Sequence, residues 1–517
     1  MALFPKPEDT PRTGLLLNKR FVRIVIAAAS FFFLTILLLW RNPETKALPP
    51  LGFKESPEFY PYTTYSDYYP VSLDPADKST EELCATFPKH LLDLVQPVLK
   101  MGHGEDRAKI ESQLDSVSAC FAPDQLLIFS DLDETIRNHS VIDILANLPE
   151  GYYDEEQNPD IKHYLAQKAM RANGTLGVDK EATKRISGWT IDKYKFLPQI
   201  ERAWLLKPDR PFYFFYETDT YVVWDNVFRF LQTFDPDKPI YMGSPSPGRE
   251  DKDRRVKTWF ANGGPGYVLS RGAVKALIHR ESSEHGQYSE PSVTQRLLPL
   301  LRNECCGDSV LGWALWNANI ALQGYWPMFN PHPLHGIPFS DRYWCQPVLT
   351  LHKTSPKDMV DVWRWEFGQR QNESPLIYSD LYNFQHPGKP AIKENWDNGD
   401  WDSWTPGPEA GLDSFEKCEQ ACKKDDSCVQ WNWRGKDEKK CILMRSIRYG
   451  VERKEEKKEE VKDEKKGGKK GEKKEGKVKE EWVDFKAGWV EDRIDKWRKD
   501  KECKVVEWVG PSITRIF

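Results

Sequence analysis

The chain has 517 residues, 39% of them apolar and 30% charged, with 20 Trp, 20 Tyr and 25 Phe. That length exceeds one ordinary domain and predicts two or three, with a core rich in aromatic side chains. A net charge of -5 and a pI near 6.1 exclude any general electrostatic attraction to nucleic acid.

The first element in the chain is an apolar run. Residues 24–40 are apolar apart from Ser30 and Thr35, and Phe21 and Val22 extend the run across Arg23. About 20 such residues cross a hydrocarbon core of ~30 Å. Lys19, Arg20 and Arg23 lie on the N-terminal side. The expectation is a cytoplasmic tail over 1–23, a transmembrane anchor over 24–40, and a lumenal remainder. A cleaved signal peptide is the alternative, but Leu37, Leu38, Leu39 and Trp40 run into Arg41 and Pro43 with no small-residue cleavage site. All 10 Cys follow the run, as disulfides in an oxidising lumen require. Asn138, Asn173 and Asn372 head glycosylation sequons on the same side. Residues 41–80, rich in Pro, Tyr, Ser and Asp, read as a stem.

Residues 81–410 read as the main globular part. A helical pattern starts at Glu81 and takes in Leu91, Leu92, Leu94 and Val95. Short apolar runs at 125–130, 211–216, 240–242 and 266–269 predict buried strands, the first two leading into acids. Residues 271–279 predict a helix capped by Ser270. Strands alternating with helices imply an α/β fold, whose ligands sit at strand carboxyl ends.

Residues 411–450 form a second module, with Cys418, Cys422, Cys428 and Cys441 as disulfide candidates. Four cysteines allow three pairings, and the sequence does not choose among them. A zinc site is the rival, with no nearby His to support it. Residues 451–481 are almost entirely Lys, Glu, Asp and Gly and are expected to be a disordered insertion. A C-terminal segment follows over 482–517.

Several groups could do chemistry. Glu217 and Asp219 end an apolar strand two positions apart, so both carboxylates can approach one hard cation. Trp259 to Tyr267 carries Asn262, Gly263 and Gly264, a stretch that lets a ligand approach the backbone closely. Asp308 sits at the entrance of an apolar helix, and His352 ends an apolar run. Ser130, Asp131, Leu132, Asp133 and Glu134 are similar to the first motif of haloacid-dehalogenase-like phosphatases, where the first Asp is the nucleophile. Gly307-Asp308-Ser309 is the only match to the late acid pair of that family, and it lacks the second acid and a preceding apolar strand.

Four motifs in order resemble the β-1,3-glycosyltransferase superfamily of Fringe and the core 1 galactosyltransferase. They are Asp219-Thr220-Tyr221-Val222 with Asp225-Asn226, Pro239-Ile240-Tyr241-Met242-Gly243, Gly263-Gly264-Pro265-Gly266-Tyr267-Val268-Leu269-Ser270, and Asp308 before Leu311-Gly312. The closest likeness is to its fungal Fringe-like branch, and the second module resembles an Apple/PAN module.

The resemblance implies an α/β GT-A fold, a nucleotide-sugar donor (usually a UDP-sugar), Mn²⁺ or Mg²⁺, and inversion at the anomeric carbon. It makes Asp219 a metal ligand with Glu217 and His352, and Asp308 the base that deprotonates the acceptor hydroxyl. Glu217 replaces the family's first Asp, and Gly307 stands where relatives carry a second acid. The resemblance puts Ser130, Asp131, Asp133, Arg137, Lys195 and Thr218 beside the donor, and Trp259, Asn262, Gly263 and Gly264 beside the acceptor or sugar. It implies a glycan or glycoprotein acceptor and a type II protein of the Golgi or ER membrane. Two other functions compete: a non-catalytic carbohydrate- or protein-binding protein, and the phosphatase.

Overall fold

The computed structural model describes residues 78–515, apart from 86, 88, 283–287, 369–373, 386–391, 400–402, 436–437 and 459–477. The expected anchor over 24–40, the stem as far as 77, Asn372 and the middle of the Lys/Glu tract lie outside the described residues. Among the described residues no helix is long and apolar enough to cross a membrane.

In chain order the main α/β part holds β1 (Val95–Lys100), β2 (Leu127–Ser130), β3 (Glu134–Ile136), β4 (His139–Asp143), β5 (Phe212–Glu217), β6 (Tyr221–Val222), β7 (Tyr241–Gly243), β8 (Pro245–Asp251), β9 (Val256–Ala261), β10 (Tyr267–Ser270), β11 (Leu322–Gly324), β12 (Phe329–Asn330) and β13 (Thr350–Leu351). Its main helices are α1 (Lys162–Ala172), α2 (Phe196–Leu206), α3 (Trp224–Leu231), α4 (Arg271–Ile278) and α5 (Gly307–Asn317). Eight strands form the central sheet in the order β11-β7-β10-β5-β1-β2-β4-β3. β5, β1, β2 and β4 run parallel, and β10 is antiparallel to β5. The carboxyl ends of β5, β1 and β2 and the start of β10 therefore share one edge of the sheet.

The sheet is covered on both faces. Along β5, Phe212, Phe214 and Tyr216 belong to one apolar cluster, while Tyr213 and Phe215 belong to the other. This period-two alternation explains why 211–216 reads as one continuous apolar run. Ser270 caps α4 as expected, accepting a hydrogen bond from the Ala273 N–H at 3.1 Å.

The helical reading fails at β1. After the short helix Thr80–Cys84 and a 3-10 turn at Lys89–Asp93, the chain enters a strand at Val95. All six residues of β1 are buried, so no alternation betrays it. Pro97 also argues against a central strand, since it brings no N–H to the ladder. The hairpin of β8 and β9 is likewise absent from the sequence reading.

The stapled module reaches beyond 411–450. Its five-stranded sheet runs β14-β22-β17-β18-β16, from Ile392–Glu394, Phe485–Trp489, Gln430–Arg434, Lys440–Met444 and Ser403–Trp404. A helix, α6 (Phe415–Lys424), lies over it, held by Cys418–Cys441 and Cys422–Cys428. A two-strand ladder joins β15 (Trp396–Asp397) to β19 (Val451–Glu452). β20 (Lys454–Lys458) pairs with β21 (Val478–Trp482). The ends of the tract expected to be disordered are thus paired in a backbone ladder.

Helix α7 (Glu491–Lys499) leads into the C-terminal segment, which returns to the main α/β part. Cys503 is bonded to Cys345, and Trp508 stacks on Phe230 with ring centroids 5.8 Å apart. The remaining disulfides are Cys84–Cys120 and the adjacent pair Cys305–Cys306, so none of the 10 Cys is free.

Candidate active site

Glu217 is the last residue of β5, and the chain turns immediately after it. Thr220 closes the turn, its N–H donating to the Glu217 carbonyl at 3.0 Å and its hydroxyl to the Gly264 carbonyl at 2.6 Å. β6 then pairs antiparallel with β13, with Tyr221 opposite Leu351. That register carries His352 beside Asp219, with Nε2 3.4 Å from Oδ1. Ligand atoms of Glu217, Asp219 and His352 all lie within 4.8 Å of one another, the one such group among the described residues.

The glycine pair before β10 separates this cluster from Asp308. A Cβ on Gly264 would stand 2.0 Å from Cε1 of His352. The Gly263 N–H donates to Oδ2 of Asp308 at 2.9 Å, and the Ser309 N–H donates to Oδ1 at 2.8 Å. Asp308 lies in the first turn of α5, where the helix's free N–H groups favour a carboxylate. At Gly307, a Cβ would meet the Lys193 carbonyl and a carbon of the Phe196 ring, each at 2.4 Å. A second acid has no room there.

Lysines answer the acids at the sheet edge. Lys100 ends β1 opposite Glu217, with its ammonium 3.0 Å from Glu217 and 2.5 Å from Asp192. Lys195 is 2.8 Å from Asp131 and 3.6 Å from Asp192. Lys109 reaches Asp219 at 3.4 Å. Burial works against the charge on Lys100, but Asp192 and Glu217 outweigh it and keep the amine protonated. Burial likewise favours the neutral form of Asp131, and Lys195 reverses this. Burial pushes the Asp308 carboxyl above its ordinary value despite its two N–H partners. It pushes His352 down against the opposing field of Asp219, leaving a neutral imidazole at neutral pH.

The other expected residues are placed unevenly. Ser130 is buried at the end of β2, its hydroxyl without a hydrogen-bond partner among the described residues. Asp131 is fully buried and accepts from the His103 N–H and from Gln167 Nε2, both at 2.9 Å. Lys195 pairs with its other oxygen. Asp133 is exposed and accepts from the Asp143 N–H at 2.8 Å. Thr218 donates its hydroxyl to Glu105. Trp259 is half-buried on β9, and Asn262 accepts from the Gly264 N–H at 3.1 Å.

Arg137 is a correction. It sits in the turn between β3 and β4, where its guanidinium pairs with Asp115. That turn precedes β4, which runs parallel to β2, so it lies at the opposite end of the sheet from Glu217. Lys100, Glu105, Lys109 and Asp192 are the residues that sequence reasoning missed. Lys100 ends the very strand that read as a helix, and a cation ending a buried run opposite an acidic strand end is the clue that was present.

Residues 149–296 match the model of the family described as Fringe-like. The chain carries a Fringe-like domain. That match supports a β-1,3-glycosyltransferase-like enzyme. The matched segment of this Fringe-like enzyme contains Glu217, Asp219, Gly263 and Gly264. Asp308, His352 and β1 lie outside it and reach the site through the fold.

Proposed function

We propose that this Fringe-like enzyme is an inverting, metal-dependent glycosyltransferase. It moves a sugar from a nucleotide-sugar, in this reading a UDP-sugar, to a hydroxyl of a glycan or glycoprotein. The observation that carries the proposal is the meeting of Glu217, Asp219 and His352 at one sheet edge, with Asp308 held across the glycine pair.

The donor set fits Mn²⁺ or Mg²⁺. Two carboxylates and a neutral imidazole suit such a cation, which would share the carboxylates with the Lys100 and Lys109 ammonium groups that face them. A bound cation would neutralise the charge developing on the departing nucleotide. Asp308 takes the acceptor proton onto a carboxylate oxygen, and its raised pKa strengthens it as a base. The Gly263 N–H fixes the carboxylate for that task. Ser130, Asp131, Lys195 and Thr218 shape the donor side, and Trp259 and Asn262 the acceptor side. The module over α6 acts as an Apple/PAN-like accessory of the fungal Fringe-like branch.

The same reading places the enzyme in the Golgi or ER membrane, anchored through 24–40 with its catalytic part lumenal. Complete cysteine pairing and the exposure of Asn138 and Asn173 support it. The test is nucleotide release from a panel of UDP-sugars by a chain starting near residue 78. Release that needs Mn²⁺ or Mg²⁺ and disappears in Asp219→Asn is the expected result. No release from any donor, in the presence of either cation and a range of glycan acceptors, counts against it.

A further inference from the structure

A cavity of about 760 Å³ lies between the stapled module and the catalytic part, away from the acid–His cluster. Its wall comes from the segment around Phe339 to Arg342, from the module near Asp426 and Arg445, and from α7. Such a volume falls in the range of small-ligand sites, about 300–1,000 Å³. Ten of its fourteen lining residues carry polar or charged side chains, which disfavours an apolar ligand or a hydrophobic peptide anchor.

The balance of unspent charge decides what the cavity takes. Its acids are largely satisfied from within: Asp341 accepts from the Trp497 indole N–H and faces Lys501 at 3.1 Å, and Asp426 faces Arg493 at 3.6 Å. Only Asp500, at the end of α7, lacks an ion pair among the described residues. The cations are not satisfied in this way. Arg342 and Lys496 have no ion-pair partner among the described residues. Arg445 meets the Ser427 hydroxyl at 3.2 Å and the face of Trp404 at 4.2 Å and lies in the field of Asp425, with no ion pair among the described residues. Three open cations against one open carboxylate favour an anionic group. Trp497 adds a half-buried aromatic wall whose orientation its bond to Asp341 fixes, a surface suited to stacking against a sugar ring.

We propose that this cavity binds an anionic saccharide, one bearing a carboxylate or a phosphate, at a site separate from the transfer centre. The cations hold the acid group and the indole wall supports the ring. The proposal stands independently of the transfer chemistry.

Calorimetry on the full chain tests it with four probes: a galacturonate pentasaccharide, a phosphorylated mannopentaose, neutral mannopentaose and a poly-glutamate peptide. The expected result is binding of an anionic saccharide that weakens with added salt and falls about tenfold in the Arg342→Glu/Lys496→Glu double variant. Preference for the galacturonate would assign a uronic acid, and preference for the phosphorylated sugar a phosphoglycan; either supports the proposal. Both substituted residues are exposed, so the variant should keep the parent's unfolding temperature and nucleotide release. The milder Arg342→Gln/Lys496→Gln variant serves if charge reversal impairs folding. Equal binding of the neutral sugar, tighter binding of the peptide, or no binding of either anionic saccharide overturns the proposal.

Discussion

The imidazole of His352 lies where a side chain on Gly264 would have to be, with Cε1 2.0 Å from the position of a Cβ. The glycine is therefore part of the wall that sets the imidazole against Asp219. Gly264→Ala should displace the ring and cost about 1–3 kcal/mol through overpacking. Calorimetric titration of Mn²⁺ should show binding lost or strongly weakened. Gly263→Ala meets the Phe196 ring tip at 2.9 Å instead and should leave His352 in place. Equal metal affinity in Gly264→Ala and the parent would detach His352 from the metal site.

Asp308→Asn keeps the shape and removes the base. Turnover should fall by roughly 10²–10⁴, the usual contribution of a positioned general base, with Mn²⁺ and UDP affinity almost unchanged. Asp219→Asn and His352→Ala should show the opposite pattern, losing metal and donor affinity first. Near-full transfer in Asp308→Asn would place the base elsewhere.

The acid limb of the pH profile follows from the same carboxylate. Burial raises the pKa of Asp308, and only its ionised form accepts a proton. Activity should be present above the raised value and be lost as pH falls through it, at a pH above that of an ordinary aspartate. Measurement of kcat/KM against pH reports this group in the free enzyme. A limb at the ordinary carboxylate value would contradict the assignment.

Removing the C-terminal segment should damage the catalytic part. Trp508 is 1% exposed and stacks on Phe230 of α3. Trp508→Ala should cost about 3–5 kcal/mol, read as a lowered urea midpoint of the main unfolding transition. A variant unchanged in that transition would show the segment to be a passive appendage.

How far the site could be read depended on how local its signals are. Glu217 and Asp219 share one strand end, and the glycine pair precedes a strand directly, so both stand out in sequence. His352 and Asp308 are solitary residues whose meaning comes from pairing β6 with β13 and from docking α5 against the glycine pair; only the family resemblance gave them roles. Lys100 was hidden because β1 is buried on both faces and contains Pro97, two features that erase the period of a strand. Arg137 was misplaced because one short hairpin reverses direction after β2, a turn with no apolar pattern around it. The limits of the stapled module were misjudged because β14 and β22 come from either side of the Cys cluster and carry no cysteine themselves.

The bond from Cys345 to Cys503 spans 158 residues, and Trp508 seals the same core close to the end of the chain. During synthesis, the ribosome must make the chain through Trp508 before that core can close. The catalytic part therefore cannot complete its packing until the stapled module that intervenes in the sequence has also been made. A premature stop codon even a few positions before Trp508 leaves every candidate catalytic residue encoded and the core unsealed.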